Sequence, residues 1–222
     1  MTKKVSRPQV REGYDLWADT YDSSVTPPVS LDRRYTLERF APQPGQRILD
    51  AACGTGHYLK AAGEAGSFSV GLDVSGGMLN VARREVPNVS LVHADLDEGL
   101  PFRSGVFDVV LCALVSEHLT NLPVFFEEVS RVLAQEGRFV FSAFHPDLAA
   151  TGIEANFELE GVEYRLGAGK HTVDDFLNVF SAGGFRIRSH REFAGDEELV
   201  RQIGWARKYL GRPLLVLIDG VV

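Results

Sequence analysis

Three aspartates, a pair of glycines and six histidines are the groups in this 222-residue chain whose type and spacing could do chemistry. Asp50 closes the apolar run Arg47-Ile48-Leu49 and is followed by Ala51-Ala52-Cys53-Gly54-Thr55-Gly56. Gly54 and Gly56 lack a Cβ, so a ligand can approach the backbone amides there closely. A carboxylate just ahead of that turn suits a cationic ligand, one bearing a sulfonium or an ammonium. Asp73 ends the next apolar run, where a carboxylate can accept hydrogen bonds from both hydroxyls of a ribose. Asp95 follows the third run. Capping of helices or turns is the ordinary structural role that competes for all three.

The elements that must position these groups alternate along the chain. Apolar runs at 47–52, 68–73, 89–93, 106–113 and 137–144 read as strands, and 57–66, 75–86 and 122–134 have helical periodicity. Such alternation predicts a parallel sheet with helices on both faces, its ligand crevice along the carboxyl ends of the strands. Ahead of it, residues 1–12 are polar and expected to fray. Tyr14, Trp17 and Tyr21 recur at helical spacing. Thr26-Pro27-Pro28 interrupts the chain, and an amphipathic helix is expected over Leu31–Phe40. Beyond Phe144 the rhythm changes. A hairpin over Phe157–Leu166 turning at Gly161, a Thr172-capped helix to Ala182, strands Phe185–Phe193 and Pro213–Asp219, and an amphipathic helix Glu197–Leu210 are expected.

Composition excludes several classes. A net charge of −7 disfavours nucleic acid and anionic membrane, which reward basic surfaces. Lys3 and Lys4 are not followed by a long apolar stretch, and no run of about 18 apolar residues occurs. These features predict a cytoplasmic address. Cys53 and Cys112 sit in apolar strand-like runs and read as reduced core thiols.

The glycine turn also discriminates between nucleotides. A dinucleotide-binding loop places a third glycine near position 59, for close packing around a pyrophosphate, but this chain has Leu59. Asp50 is an equally poor neighbour for a diphosphate. An NAD(P) oxidoreductase is thereby disfavoured, and S-adenosylmethionine fits. Ile48–Gly56, Gly71–Leu79, His93–Leu96, Phe107–Val110 and Val132–Phe139 together resemble the successive motifs of class I S-adenosylmethionine-dependent methyltransferases, in order and at the right spacing over residues 45–145. The resemblance implies an α/β three-layer sandwich with a mostly parallel seven-stranded sheet and an antiparallel edge strand. It implies one domain over 1–222: a helical lid over 1–44, a cofactor core over 45–144, a substrate-side insertion over 145–170 and the rest of the sheet over 171–222. Gly54 and Gly56 would line the methionine part of the cofactor and Asp73 would hold the ribose. Met78 would pack on the adenine, unless it is a core methionine, while Asp95 and the Leu96 amide address the ring edge. Asp50, Ala52, Val74 and Ala113 complete the cofactor positions, and Ala52 stands where the family's first loop glycine is usual. Tyr14, Trp17 and Tyr21 resemble a lid helix that closes over the cofactor, with simple packing an equal alternative for Trp17.

The acceptor is expected to be a small molecule methylated on oxygen or nitrogen, because Cys112-Ala113-Leu114-Val115 stands where an amino-methylating nucleic-acid enzyme would carry Asn/Asp-Pro-Pro-aromatic. A base is needed only when the acceptor carries a proton. His118, His145 and His171 fall in loops at the carboxyl edge and are the candidates, with Glu117 and Tyr164 as companions. A positioning role in their loops competes for each. His145, His171 and Asp174 could in principle ligate a metal, but their spacing is loose and no metal is expected. A non-catalytic S-adenosylmethionine-binding module is the rival from another class. The sequence names neither the acceptor nor an oligomeric state.

Overall fold

The computed structural model describes residues 4–23, 25–169 and 171–222. The first strand candidate forms β2 (Arg47–Ala51), after a short strand β1 (Lys4–Ser6) and helices α1 (Val10–Trp17) and α2 (Pro27–Phe40). There follow α3 (His57–Glu64), β3 (Phe68–Asp73), α4 (Gly76–Glu85), β4 (Ser90–His93), β5 (Phe107–Ala113), α5 (Leu122–Val132) and β6 (Leu133–Phe144). The chain continues through α6 (Pro146–Ala150), the hairpin β7 (Asn156–Leu159) and β8 (Val162–Arg165), and α7 (Val173–Ala182). It ends with β9 (Arg186–Ala194), α8 (Glu197–Gln202) and β10 (Pro213–Val221).

Seven strands make the main sheet in the order β4-β3-β2-β5-β6-β10-β9. Strands β2 to β6 are parallel, and β10 enters antiparallel between β6 and the edge strand β9. Strand order reverses between β2 and β5, and that switch point opens a crevice at the carboxyl ends. Apolar side chains cover both faces, as runs of buried parallel strand require. Phe125, Phe126 and Val129 of α5 with Phe176 and Phe180 of α7 pack on one face. Leu31 and Phe40 of α2, Tyr58 of α3 and Leu199 of α8 pack on the other.

Three expectations are corrected. Residues 4–6 are paired rather than frayed: β1 lies parallel to β8, in a second sheet of order β1-β8-β7. Residues 1–3 fall outside the described residues. Arg7 carries this tie further, donating from both terminal nitrogens to the two carboxylate oxygens of Glu154 at 2.9 and 2.8 Å. The amino-terminal segment and the insertion after β6 are therefore one layered unit. Pro27 and Pro28 do not break the chain. They occupy the first turn of α2, where no N–H is needed and φ is already helical. The expected helix Glu197–Leu210 divides into α8 and a 3-10 helix over Gly204–Tyr209, with Ile203 as the joint. The hairpin turns as expected, with Glu160 and Gly161 both at positive φ (50° and 76°), the pattern of a tight β-turn.

Candidate functional site

The carboxyl ends of β2, β3, β4 and β5 surround a cavity of about 430 Å³. Its wall includes Tyr14, Tyr21, Ala52, Gly54, Asp73, Val74, Met78, Asp95, Leu96 and Ala113. His118 joins them from the turn after β5. Gln9, Val10, Arg11, Asp97 and Thr120 also reach this wall, and no motif in the sequence singled them out.

Local chemistry fixes this arrangement. The Gly54 and Ser75 amides donate to the two oxygens of Asp73, each at 2.8 Å, so the carboxylate ties the glycine turn to the start of α4. Burial raises the Asp73 pKa, and the amides of Ser75, Gly54 and Val74 oppose that rise. Asp95 accepts from the Asp97 amide at 3.0 Å and caps the short turn behind it. Met78 is 2% exposed and packs with Ala18 and Val81 while still reaching the cavity. Helix α1 is docked by Asp15, which accepts from the Ser75 hydroxyl at 2.7 Å and the Gly77 amide at 2.8 Å. A Cβ on Gly77 would stand 2.9 Å from the Asp15 backbone, so only glycine admits the helix this closely.

Two predicted positions lie off the wall. Gly56 begins α3 at φ 90°, and a Cβ there would press Val86 at 3.1 Å; its freedom serves packing of α3 on α4. Asp50 is 1% exposed on β2, and neither carboxylate oxygen has a hydrogen-bond partner. Burial, with Asp73 and Asp32 nearby, pushes its pKa up to about 8. An orphaned carboxyl beside the loop formed by Ala52 and Gly54 is what a cationic ligand would compensate, so these residues fit a sulfonium- and ammonium-bearing group.

Ala52 and Leu114 both adopt left-handed backbone, φ 70° and 52°, at the ends of the two central strands. That conformation costs a non-glycine residue roughly 1–2 kcal/mol. Ala52→Gly removes the strain but adds unfolded-chain entropy worth about 0.4–1 kcal/mol. We expect a net gain of up to about 1 kcal/mol, a rise of a few degrees in the thermal midpoint. Ala52→Val, with a branched Cβ, is expected to lower the midpoint instead, and differential scanning calorimetry checks both.

A second cavity of about 380 Å³ opens on the other side of Tyr14, Tyr21 and Leu114, which line both. Trp17, Pro28, Phe144, Leu148, Phe176 and Trp205 give it an apolar, aromatic wall, and the insertion closes it through Glu154–Asn156 and Gly167–Gly169. Trp17 stacks on Phe157 at 4.9 Å and faces this second cavity, and it does not reach the cavity beside Asp73.

The three histidines part company. His118 Nε2 shares a hydrogen bond of 2.9 Å with the Tyr14 hydroxyl, and burial pushes its pKa down to about 4, leaving a neutral ring that anchors α1. His171 lines the second cavity, its ring 5.9 Å from that of Phe176. His145 lines neither. Its Nδ1 accepts from the Asp147 amide at 3.1 Å to cap α6, which leaves Nε2–H to donate to Glu192 at 2.9 Å. Both nitrogens are engaged in holding a loop. Tyr164 stacks on Phe157 at 4.9 Å within the hairpin. Among the described residues, no three His, Cys, Asp or Glu side chains gather as a metal site.

Residues 49–141 match the family model described as a methyltransferase domain. The chain is 36% identical over 143 residues to a demethylmenaquinone methyltransferase of Symbiobacterium thermophilum, covering 59% of this chain and 57% of that protein. It is 28% identical over 138 residues to a malonyl-[acyl-carrier protein] O-methyltransferase of Serratia marcescens, covering 62% and 53% respectively. The chain thus spans little more than half the length of these curated relatives. The crystal structure of an S-adenosylmethionine-dependent methyltransferase from Mesorhizobium loti superposes with a TM-score of 0.71 at 26% identity, over 84% of this chain and 96% of that one.

Proposed function

This chain carries a class I S-adenosylmethionine-dependent methyltransferase domain, and from that premise we propose that it transfers a methyl group to an oxygen or nitrogen of a small-molecule acceptor. The observation that supports this reading is the pair of cavities meeting at Tyr14, Tyr21 and Leu114. One offers carboxylates and backbone suited to an adenosine sulfonium; the other is apolar and of small-molecule size. S-adenosylmethionine supplies a methyl carbon already bonded to a good leaving group, so holding the acceptor in line provides much of the acceleration.

The chain's residues divide the remaining work. Asp73 accepts hydrogen bonds from the ribose hydroxyls, Met78 and Leu96 flank the adenine, and Asp95 addresses its edge. Ala52, Gly54, Val74 and Ala113 shape the wall around the donor. Asp50 answers its positive charge from behind the loop. Tyr14 and Tyr21 line both cavities and exclude water where donor and acceptor meet, and neutral His118 anchors Tyr14 at that junction. The acidic net charge supports an acceptor other than nucleic acid, without a membrane partner. Among the described residues no helix is long and apolar enough to cross a membrane. The two buried free thiols, Cys53 and Cys112, support a cytoplasmic address.

Titration calorimetry with S-adenosylmethionine and with its demethylated product tests the reading. Binding of both is expected. Binding of neither would overturn it, whereas tight binding with no transfer to any acceptor would favour a non-catalytic binding module.

A further inference from the structure

Asp50 and Glu117 are, among the described residues, the two carboxyl groups with both oxygens buried and no hydrogen-bond partner from another residue. Asp50 belongs to the donor side. Glu117 lines the second cavity, and its side chain is 6% exposed. A buried polar group without a partner costs stability, so its persistence at a cavity wall points to a ligand that completes it.

On this wall Glu117 is the carboxyl that no neighbouring residue answers. The neighbouring imidazole is occupied: His118 Nε2 stands 3.9 Å from Glu117 Oε1 but is hydrogen-bonded to Tyr14. The other charged groups on this wall are answered by protein. Glu154 is held by Arg7 and Arg165, Arg165 is also bonded to Glu163, and Lys208 lies over the rings of Trp205 and Tyr209. The fold also brings the backbone down onto Glu117. A Cβ at Gly169 would stand 2.8 Å from the Glu117 Cα, so a glycine there lets the insertion seal this corner.

We propose, resting on the methyl-transfer reading above, that Glu117 is the base of the acceptor cavity. The acceptor has an apolar, aromatic body and carries one hydroxyl or amino group, whose proton Glu117 receives. The acceptor's O–H or N–H bond breaks, and the proton goes to a carboxylate oxygen of Glu117. The electron pair left on the acceptor atom bonds the methyl carbon, as the carbon–sulfur pair departs with sulfur to give a neutral thioether. Glu117 then yields the proton to solvent when the cavity opens.

Burial pushes the Glu117 carboxyl up to about 8, close to working pH, where a base both holds its unprotonated form in part and accepts a proton readily. The titratable and charged groups around it are His118 on its own turn, Tyr14 and Tyr21 from the lid, and His171, Glu154, Glu163, Arg165 and Lys208 along the cavity.

The test uses the full chain with S-adenosylmethionine and two matched probe sets. Ethylphenol and ethylaniline are compared with ethylanisole, and hydroxycoumarin and aminocoumarin with methoxycoumarin. We expect the wild type to bind the hydroxyl and amino probes at least about tenfold tighter than their methoxy partners, the worth of a hydrogen bond to a carboxylate. Turnover of ethylphenol, followed as release of the demethylated cofactor, should rise with pH toward about 8. Glu117→Gln should keep S-adenosylmethionine affinity within about twofold, lose roughly 10²-fold or more in kcat and flatten the pH profile. Glu117→Asp should restore part of the turnover and the pH dependence, a rescue that a merely structural role would not give. Equal binding of capped and uncapped probes, binding of no probe in either set, or wild-type turnover in Glu117→Gln would each overturn the proposal. Failure of the wild type to bind S-adenosylmethionine would instead overturn the methyltransferase reading, so the two failures are separable.

Discussion

Asp73→Ala is expected to abolish measurable S-adenosylmethionine binding and to lower the thermal midpoint of the ligand-free protein in the same preparation. The two losses share one cause. The carboxylate already accepts from the Gly54 and Ser75 amides, so it is part of the scaffold before any ligand arrives. Hydrogen bonds to a charged acceptor contribute about 1.5–3 kcal/mol each. Removing the side chain leaves two amides without acceptors in a site only 8% exposed, so a loss of roughly 2–4 kcal/mol of stability is expected. The ribose hydroxyls lose the same acceptor, which adds at least about 10²-fold to the dissociation constant. Asp73→Asn separates the contributions. Its single carbonyl oxygen can keep one of the two amide bonds, so the midpoint should recover in part. Its amide nitrogen cannot accept, so affinity should stay at least about tenfold below wild type. Calorimetric titration and thermal melting on both variants decide the matter. Wild-type affinity in Asp73→Ala would remove this residue from the cofactor site.

That such a residue could be picked out from sequence at all follows from the physics of buried strands. Strands β2, β3 and β5 are covered on both faces, so each announces itself as an unbroken apolar run, and a carboxylate at its end is conspicuous. Expected and observed limits differ by a residue at most for these strands: 68–73 against Phe68–Asp73, and 106–113 against Phe107–Ala113. What escaped was non-local or needed a partner. β1 exists because Lys4–Ser6 meets Val162–Tyr164, over 150 residues away, and three polar-flanked residues carry no pattern of their own. The split at Ile203 was hidden because the apolar spacing of α8 and the following 3-10 turn runs on in register, while the backbone does not. Among the histidines, position at the carboxyl edge was legible and role was not. His145 is distinguished from His171 by Asp147 and Glu192, one of them on a strand 47 residues away. Glu117 was legible only as a companion of His118, because the lack of a partner becomes visible only when every neighbour is in place.

The protonation of Asp50 yields the second large effect. Its folded pKa stands at about 8 against an ordinary 3.8, so between roughly pH 4 and 8 the folded chain keeps a proton that the unfolded chain has released. Stability of the ligand-free protein must therefore fall as pH rises through that window and level off above it. Glu117, also raised to about 8, contributes in the same direction. At about 1.4 kcal/mol per unit, Asp50 alone is a matter of several kcal/mol at pH 8. Asp50→Asn, which cannot ionise, should raise the midpoint at pH 8 and flatten much of its pH dependence. The same substitution should weaken S-adenosylmethionine binding at least about tenfold, because a positive charge would then face a neutral amide. Linkage supplies a sharper readout than affinity. If the cofactor's charge favours the ionised Asp50, binding must expel the proton that the free site holds, and affinity must climb between about pH 6 and 7.5, before the ligand's own amino group begins to titrate. Calorimetry in buffers of different ionisation enthalpy counts that proton directly. Release approaching one proton per cofactor near pH 6.5 is expected for the wild type, and close to none for Asp50→Asn. Proton-neutral binding by the wild type would mean that Asp50 stays protonated beside a cation, and its role would then be confined to the fold.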